Sequence, residues 1–150
     1  MTRGEDERLA RRVLDAHYTD AMVLADEARS YFETQGADTR RGLDPALRVA
    51  FACESLKVTT RLMHVIAWLL MRRAIATGEA VPPAGDAARH LGPAIASDAE
   101  TVAAMPASAQ TLIEASVELF EAVARLEDAE REGPRECPAL MLQSRLAAAF

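Results

Sequence analysis

Apolar residues recur along this chain at helical steps in three long stretches, each closed off by helix breakers. The first runs from about Glu5 to Phe32. Leu9, Val13, Ala16, Ala21, Leu24, Ala28 and Phe32 form a stripe at three-to-five-residue intervals, while Asp15, Asp20, Asp26, Glu27 and Arg29 lie mostly off it. The second opens at Asp44-Pro45, an N-cap followed by a proline in the first helical position, and continues to about Thr77. Gly78 follows as the expected left-handed cap. The third begins near Pro106, runs to about Arg131 and is ended by Gly133-Pro134. Its apolar face is Leu112, Ile113, Ser116, Val117, Phe120, Val123 and Ala124, with Glu114, Glu118, Glu121 and Glu127 expected to face water.

The middle stretch is the densest. From Leu62 to Met71 only His64 is polar, and the run holds the single tryptophan, Trp68. It is too short to span a bilayer, which needs roughly 20 apolar residues, so it reads as a helix buried on most of its circumference. About 33 residues at 1.5 Å rise give roughly 50 Å. That length predicts a helix that projects past its neighbours or pairs with another subunit. Arg72 and Arg73 sit near its C-terminal end, where cations suit the helix dipole.

Between these helices, Gly36 to Gly42 reads as a loop. The segment from Glu79 to Met105, with Pro82, Pro83, Gly85, Gly92 and Pro93, reads as an irregular connection packed over the bundle. Single turns are expected within it around Asp86–Leu91 and Ser97–Ala104. No internal repeat and no heptad seam of coiled-coil quality stands out. The pattern predicts an all-α, antiparallel three-helix bundle with up-down-up connectivity over residues 1–133. A tail over 134–150 remains, a short amphipathic helix or a mobile end.

Composition narrows the function classes. The 150 residues amount to one domain, and half are hydrophobic. A net charge of −6 excludes a general nucleic-acid binder, which needs a basic footprint. The charged start Met1-Thr2-Arg3-Gly4-Glu5 has no apolar segment of a signal peptide behind it, and no stretch qualifies as a membrane span. Cys53 and Cys137 lack metal-ligand spacing, and Cys53 is expected as a buried free thiol. A cytoplasmic location follows by elimination.

No catalytic constellation can be assembled. His64 has no ligand-pair partner in His17 or His90 and reads as a polar residue on a helix edge. Glu114, Glu118 and Glu121 share a face but lack the histidine partner of a di-iron site. Thr59 and Thr60 read as packing residues whose hydroxyls return to the backbone. No cofactor and no metal is expected, and the chain reads as not an enzyme.

What remains is a surface. At about 100° per residue, Glu54, Lys57, Arg61, His64, Trp68 and Arg72 fall within an arc of roughly 80° on the middle helix. Lys57, Arg61, His64, Trp68 and Arg72 are the candidate partner-binding residues. Trp68 has two readings: an interface hot spot beside arginine and histidine, or a core side chain covered by the proline-rich connection. A different class, a helical small-ligand or stress-related protein, would use a pocket between helices in an interior containing Met22, Met63 and Met71. The apolar end Leu146 to Phe150 is either a signal for an ATP-dependent protease or a capping or disordered end.

The middle helix also carries a resemblance. Val58-Thr59-Thr60-Arg61-Leu62-Met63, then Val65-Ile66-Ala67-Trp68-Leu69-Leu70, Arg73-Ala74 and Gly78-Glu79 resemble the alphaproteobacterial regulator-of-CtrA-degradation family. Glu27 to Phe32 and Ser116 to Leu126 agree with it, so the resemblance spans roughly residues 17 to 130. It implies a three-helix bundle, a homodimer and no enzymatic activity. It further implies a cytoplasmic adaptor, gathered at a cell pole, that links the ClpXP protease to cargo such as the cell-cycle regulator CtrA. Its partners would be a response regulator that primes the protease and a cyclic-di-GMP-binding adaptor.

Overall fold

The computed structural model describes residues 2–81, 90–132 and 145–148. Helix α1 spans Arg3–Glu33, α2 Gln35–Arg41, α3 Pro45–Ala76, α4 Ala99–Ala103 and α5 Ala107–Glu132. Local chemistry sets the ends. The Thr2 amide donates to the Glu5 carboxylate at the start of α1. Asp44 caps α3 by accepting from the Leu47 amide at 2.9 Å, with Pro45 in the first turn. Gly78, at φ 78°, takes the left-handed position after α3, and the Glu79 and Ala80 amides return to the Ala74 carbonyl.

The expected loop over 36–42 is instead the short helix α2. Two features favour it. The Thr39 hydroxyl donates to the Gln35 carbonyl one turn back, and buried Gly36 lets the backbone pack against α1 and α3. A Cβ at Gly36 would lie 3.1 Å from the Tyr31 carbonyl oxygen and 3.4 Å from the Phe51 ring. Phe32 meets Tyr31 and Phe51 edge-on at this end and Tyr31 lies tilted to Phe51, with ring centroids 5.1 to 6.4 Å apart.

The fold is the expected all-α three-helix bundle, with α1, α3 and α5 as its long members. Small residues of α1, Ala21 and Ala28, pack against Val58, Leu62, Val65 and Leu69 of α3 and Ile113, Phe120 and Val123 of α5. The directions of the helices come from their polar pairs. Asp15 of α1 meets Arg73 of α3 at 2.9 Å, while Phe32 meets Phe51, so α1 and α3 are antiparallel. On the other side Arg61 pairs with Ser116, Trp68 with Glu127 and Arg72 with Glu130. Both numbers rise together, so α5 runs parallel to α3 and the connectivity is up-down-down rather than up-down-up.

The connection makes this possible. It returns along α3, from Leu91 beside Trp68 to Ser97 beside Glu54, before α4 turns the chain into α5. Seven extended residues cover roughly 20 Å. The 14 residues of α3 beneath them rise about 21 Å. The expected packing of this connection over the bundle is therefore found, as an extended strap, and the expected turn near 97–104 is α4. The turn expected at Asp86–Leu91 lies largely outside the described residues, as does most of the 134–150 tail, of which residues 145–148 are helical.

Three further expectations are corrected. Cys53 is exposed, because its position on α3 points away from both neighbouring helices. Met22, Met63 and Met71 are exposed rather than lining an interior. Glu127 is buried, because it lies in line with Ser116, Phe120 and Val123 on the inward face of α5, where the Trp68 indole and the Leu91 amide meet it.

Candidate partner interface

The five candidate residues do lie along one side of α3, but the strap divides them. Arg61 is 1% exposed, and Glu54, two turns before it on the same arc, is 2% exposed. Arg61 Nε and Nη2 both donate to the Ile95 carbonyl, at 2.9 and 2.7 Å. Nη2 also reaches Ser97 Oγ at 2.6 Å, and Nη1 reaches Ser116 Oγ at 3.2 Å. Ser97 in turn donates to Glu54 at 2.6 Å, and the other Glu54 oxygen lies 3.2 Å from the Lys57 ammonium. One guanidinium thus ties α3, the strap and α5 together, with the planar fork that lysine lacks. Burial lowers the Arg61 pKa, and the charge of Glu54 opposes that shift.

Two turns along, Trp68 is also buried, and its Nε1 donates to Glu127 Oε2 at 2.9 Å. The same oxygen accepts the Leu91 amide at 2.6 Å, so Glu127 joins the indole to the strap. His90 and Arg131 complete the cluster, with Arg131 Nη2 3.4 Å from Glu127 Oε1 and His90 Nδ1 3.7 Å from it. Of the two readings of Trp68, the covered one describes its place in the protomer.

The arginine pair at the end of α3 separates. Arg72 lies over the Trp68 ring, 4.6 Å from its centroid, and pairs with Glu130 of α5 at 2.9 Å. Arg73 turns the opposite way, over the Tyr18 ring at 4.3 Å and onto Asp15 of α1. The end of α3 is thereby held to both neighbouring helices.

His64, Trp68 and Arg72 come together around a shallow pocket of about 420 Å³, closed on its far side by His90, Leu91 and Gly92. Gly92 has φ 96°, and a Cβ there would lie 3.7 Å from His64 Nδ1. His64 is exposed and Lys57 is one-third exposed. Lys57 and Arg61 belong to the Glu54 node further along and do not reach the pocket. The surface therefore offers Lys57, His64 and part of Arg72, supported from beneath by Arg61 and Trp68. Among the described residues no group of three or more histidine, cysteine or carboxylate side chains is placed to hold a metal ion.

Sequence reasoning missed Glu127, Ser97, Ser116 and the backbone of Leu91 and Ile95. Ser116, a lone hydroxyl on the apolar face of the third helix, and Glu127, three turns further along the same face, were the available signals.

Comparison with known proteins places this arrangement. A family model described as a protein of unknown function (DUF1465) matches residues 5–150. A search among curated proteins finds no match. Among solved structures, the chain is similar to the crystal structure of RcdA from Caulobacter crescentus CB15. The identity is 30% and the TM-score 0.64, over 84% of this chain and 95% of that one. Among the described residues no helix is long and apolar enough to cross a membrane.

Proposed function

The chain belongs to the DUF1465 family and shares the fold of RcdA, and on that basis we propose that it is an RcdA-like regulator acting as a non-enzymatic adaptor. The observation that carries this reading is the 30% identity to RcdA over most of both chains. The specific family-like run of α3 lies in the helix that organises the whole bundle, which supports it further. The small-ligand alternative gains nothing from that similarity, and the methionines it relied on are at the surface.

In this reading the protein works in the cytoplasm, concentrated at a cell pole, as a homodimer. It joins the ClpXP protease, primed by a response regulator, to cargo such as CtrA through a cyclic-di-GMP-binding adaptor. The edge formed by Lys57, His64 and Arg72, held in shape by Arg61 and Trp68, is the contact surface for a protein partner. Two imidazoles and a guanidinium around the shallow pocket suit an acidic side chain of that partner.

Affinity capture from the native cell, with and without active ClpXP, tests the role. Recovery of the protease or a response regulator is expected. Recovery of neither, with unchanged CtrA turnover in a deletion strain, removes the reading. The surface is tested by His64→Asp and Lys57→Glu in a protein whose helicity is unchanged; capture equal to that of the parent excludes this edge.

A further inference from the structure

An apolar groove stands open where the start of α1 meets the end of α5. It has a volume of about 460 Å³ and is lined by Leu9, Val13 and Leu14 of α1, Leu126 and Ala129 of α5, and the edge of Trp68. Two carboxylates, Asp6 and Glu130, flank it. The groove exists because α1 begins early. Arg11 Nη2 donates to the carbonyl of Ala76, the last residue of α3, so the turns of α1 before Arg11 pass the end of α3. Leu9 is left 54% exposed there. A second uncovered surface belongs to the same chain. Residues 145–148 form a helical turn with all four residues exposed, Leu146 by 55%. One turn of helix is not stable alone in water. At helical period, Leu142, Leu146, Ala149 and Phe150 fall on one side of the segment 142–150, with Ser144 opposite and Arg145 at the border.

We infer that the groove is the docking site of the chain's own segment 142–150. The segment enters as a short helix, with its Leu142, Leu146 and Phe150 side against Leu9, Val13 and Leu126 and with Arg145 beside Asp6. The inference does not depend on the adaptor role. Three observations select this occupant. The first is place. Ala129 and Glu130 line the groove and α5 ends at Glu132, so the chain leaves the bundle at the groove's edge. Gly133-Pro134 follows as a helix breaker, and residues 133–141 reach up to about 30 Å, enough for a return. The second is length. From Asp6 to Leu14 the groove runs about 12 Å along α1, and a helix over 142–150 is about 13 Å long. The third is charge. Both groups flanking the groove are carboxylates, and Asp6 has no ion-pair partner among the described residues. Arg145, at the border of the apolar side, is equally unpaired among them. The groove therefore accepts an apolar helix edged by a cation and repels an acidic one. A short tether supplies an effective concentration of about 1 mM, so an intrinsic Kd as weak as about 0.1 mM keeps the segment docked about nine-tenths of the time. Trp68 lines both this groove and the pocket beside His64, so the docked segment packs behind the indole that supports the partner edge.

Paramagnetic relaxation in the full chain tests the inference. In a Cys53→Ser, Cys137→Ser background, a nitroxide is attached at Ser144→Cys, on the side of the segment away from the groove. Amides of residues 6–14 and 126–130 are expected to broaden, while those of α2 at the other end of the bundle keep their parent intensity. Leu142→Glu with Leu146→Glu is expected to abolish the broadening. It leaves the bundle's helicity by circular dichroism unchanged, since neither position belongs to the core. Asp6→Arg is expected to weaken the broadening and Arg145→Asp, added to it, to restore it. Broadening at neither stretch, or spread evenly over the surface, overturns the docking, as does broadening that survives the double glutamate substitution. Failure of Arg145→Asp to restore it overturns the ion pair that sets the register. The last arm mixes isotope-labelled chains without nitroxide and unlabelled chains carrying it. Broadening of residues 6–14 in that mixture, equal to that within one chain, places the segment of another copy in the groove and overturns the assignment to the chain's own.

Discussion

Replacing Arg61 by alanine is expected to cost far more than an ordinary surface substitution on α3. The guanidinium makes four hydrogen bonds, to the Ile95 carbonyl twice, to Ser97 and to Ser116, and it is almost wholly buried. Its removal leaves the Ile95 carbonyl without its donor and Glu54 with only Lys57 and Ser97 around a buried carboxylate. Breaking one member of a buried charged network costs about 3–5 kcal/mol. For a chain of this length each kcal/mol lowers Tm by about 2–4 °C, so a fall of roughly 6–20 °C is expected. Urea unfolding followed by circular dichroism gives the free energy, and amide hydrogen exchange shows where it is lost. The strap amides over 91–97 exchange faster, while those in the middle of α1 keep their order of protection. A Glu54→Gln, Arg61→Met pair removes both charges at similar volume and is expected to recover most of the loss. An Arg61→Ala protein with Tm within about 2 °C of the parent, or with unchanged exchange at the strap, would refute the assignment of Arg61 as the strap's anchor.

Two further outcomes follow from the same contacts. Trp68→Phe keeps the ring beneath Arg72 but removes the Nε1 donor to Glu127; a loss of about 1–2 kcal/mol in urea unfolding is expected, and no loss would mean that the indole bond is not made in solution. At the start of α4, the Thr101 backbone amide and hydroxyl hold the Asp98 carboxyl below its ordinary value of 3.8. Because the folded pKa is the lower one, its stabilising contribution is complete above 3.8 and is lost as pH falls through the folded value. An NMR titration is expected to place the Asp98 midpoint below that of an unstructured peptide and to show α4 fraying over the same range; a midpoint at or above the peptide's contradicts the cap.

How much of this was legible in the chain depended on how local the physics was. Asp44-Pro45 and Gly78 carry the start and stop of α3 within a few residues, and both ends are where their chemistry places them. The 36–42 segment failed because two glycines read as a loop, while the helix depends on Gly36 fitting under Phe51, a contact 15 residues away. Glu127 was grouped with the outward glutamates, although steps of four from Val123 and seven from Phe120 place it on the inward face of α5; what periodicity does not announce is its partners, the Trp68 indole and the Leu91 amide of the strap. The same holds for the α3 arc. A helical wheel places Lys57, Arg61, His64, Trp68 and Arg72 on one side correctly, yet it says nothing about what lies over that side. The exposed apolar positions of α3 stayed hidden because α3 is apolar around much of its circumference. Val49, Leu56, Met63 and Leu70 look like core until burial separates them from Val58, Leu62, Val65 and Leu69.

The charges of α3 explain why its outer face remains apolar. Arg73 is committed to α1, Arg72 to α5, and Arg61 with Glu54 to the strap. Each is directed at an element of the same chain, so none remains to solvate the outward side. The strap edge and the exposed apolar positions Val49, Leu56, Met63 and Leu70 are centred roughly 130° apart around α3, with His64 and Met71 between them. The polar edge and the exposed apolar positions are therefore adjacent but separable on one helix. Substitution at the exposed Leu56 and Met63 leaves the Arg61 and Glu127 clusters untouched, whereas loss of Arg61 loosens the strap and leaves the outer side of α3 intact.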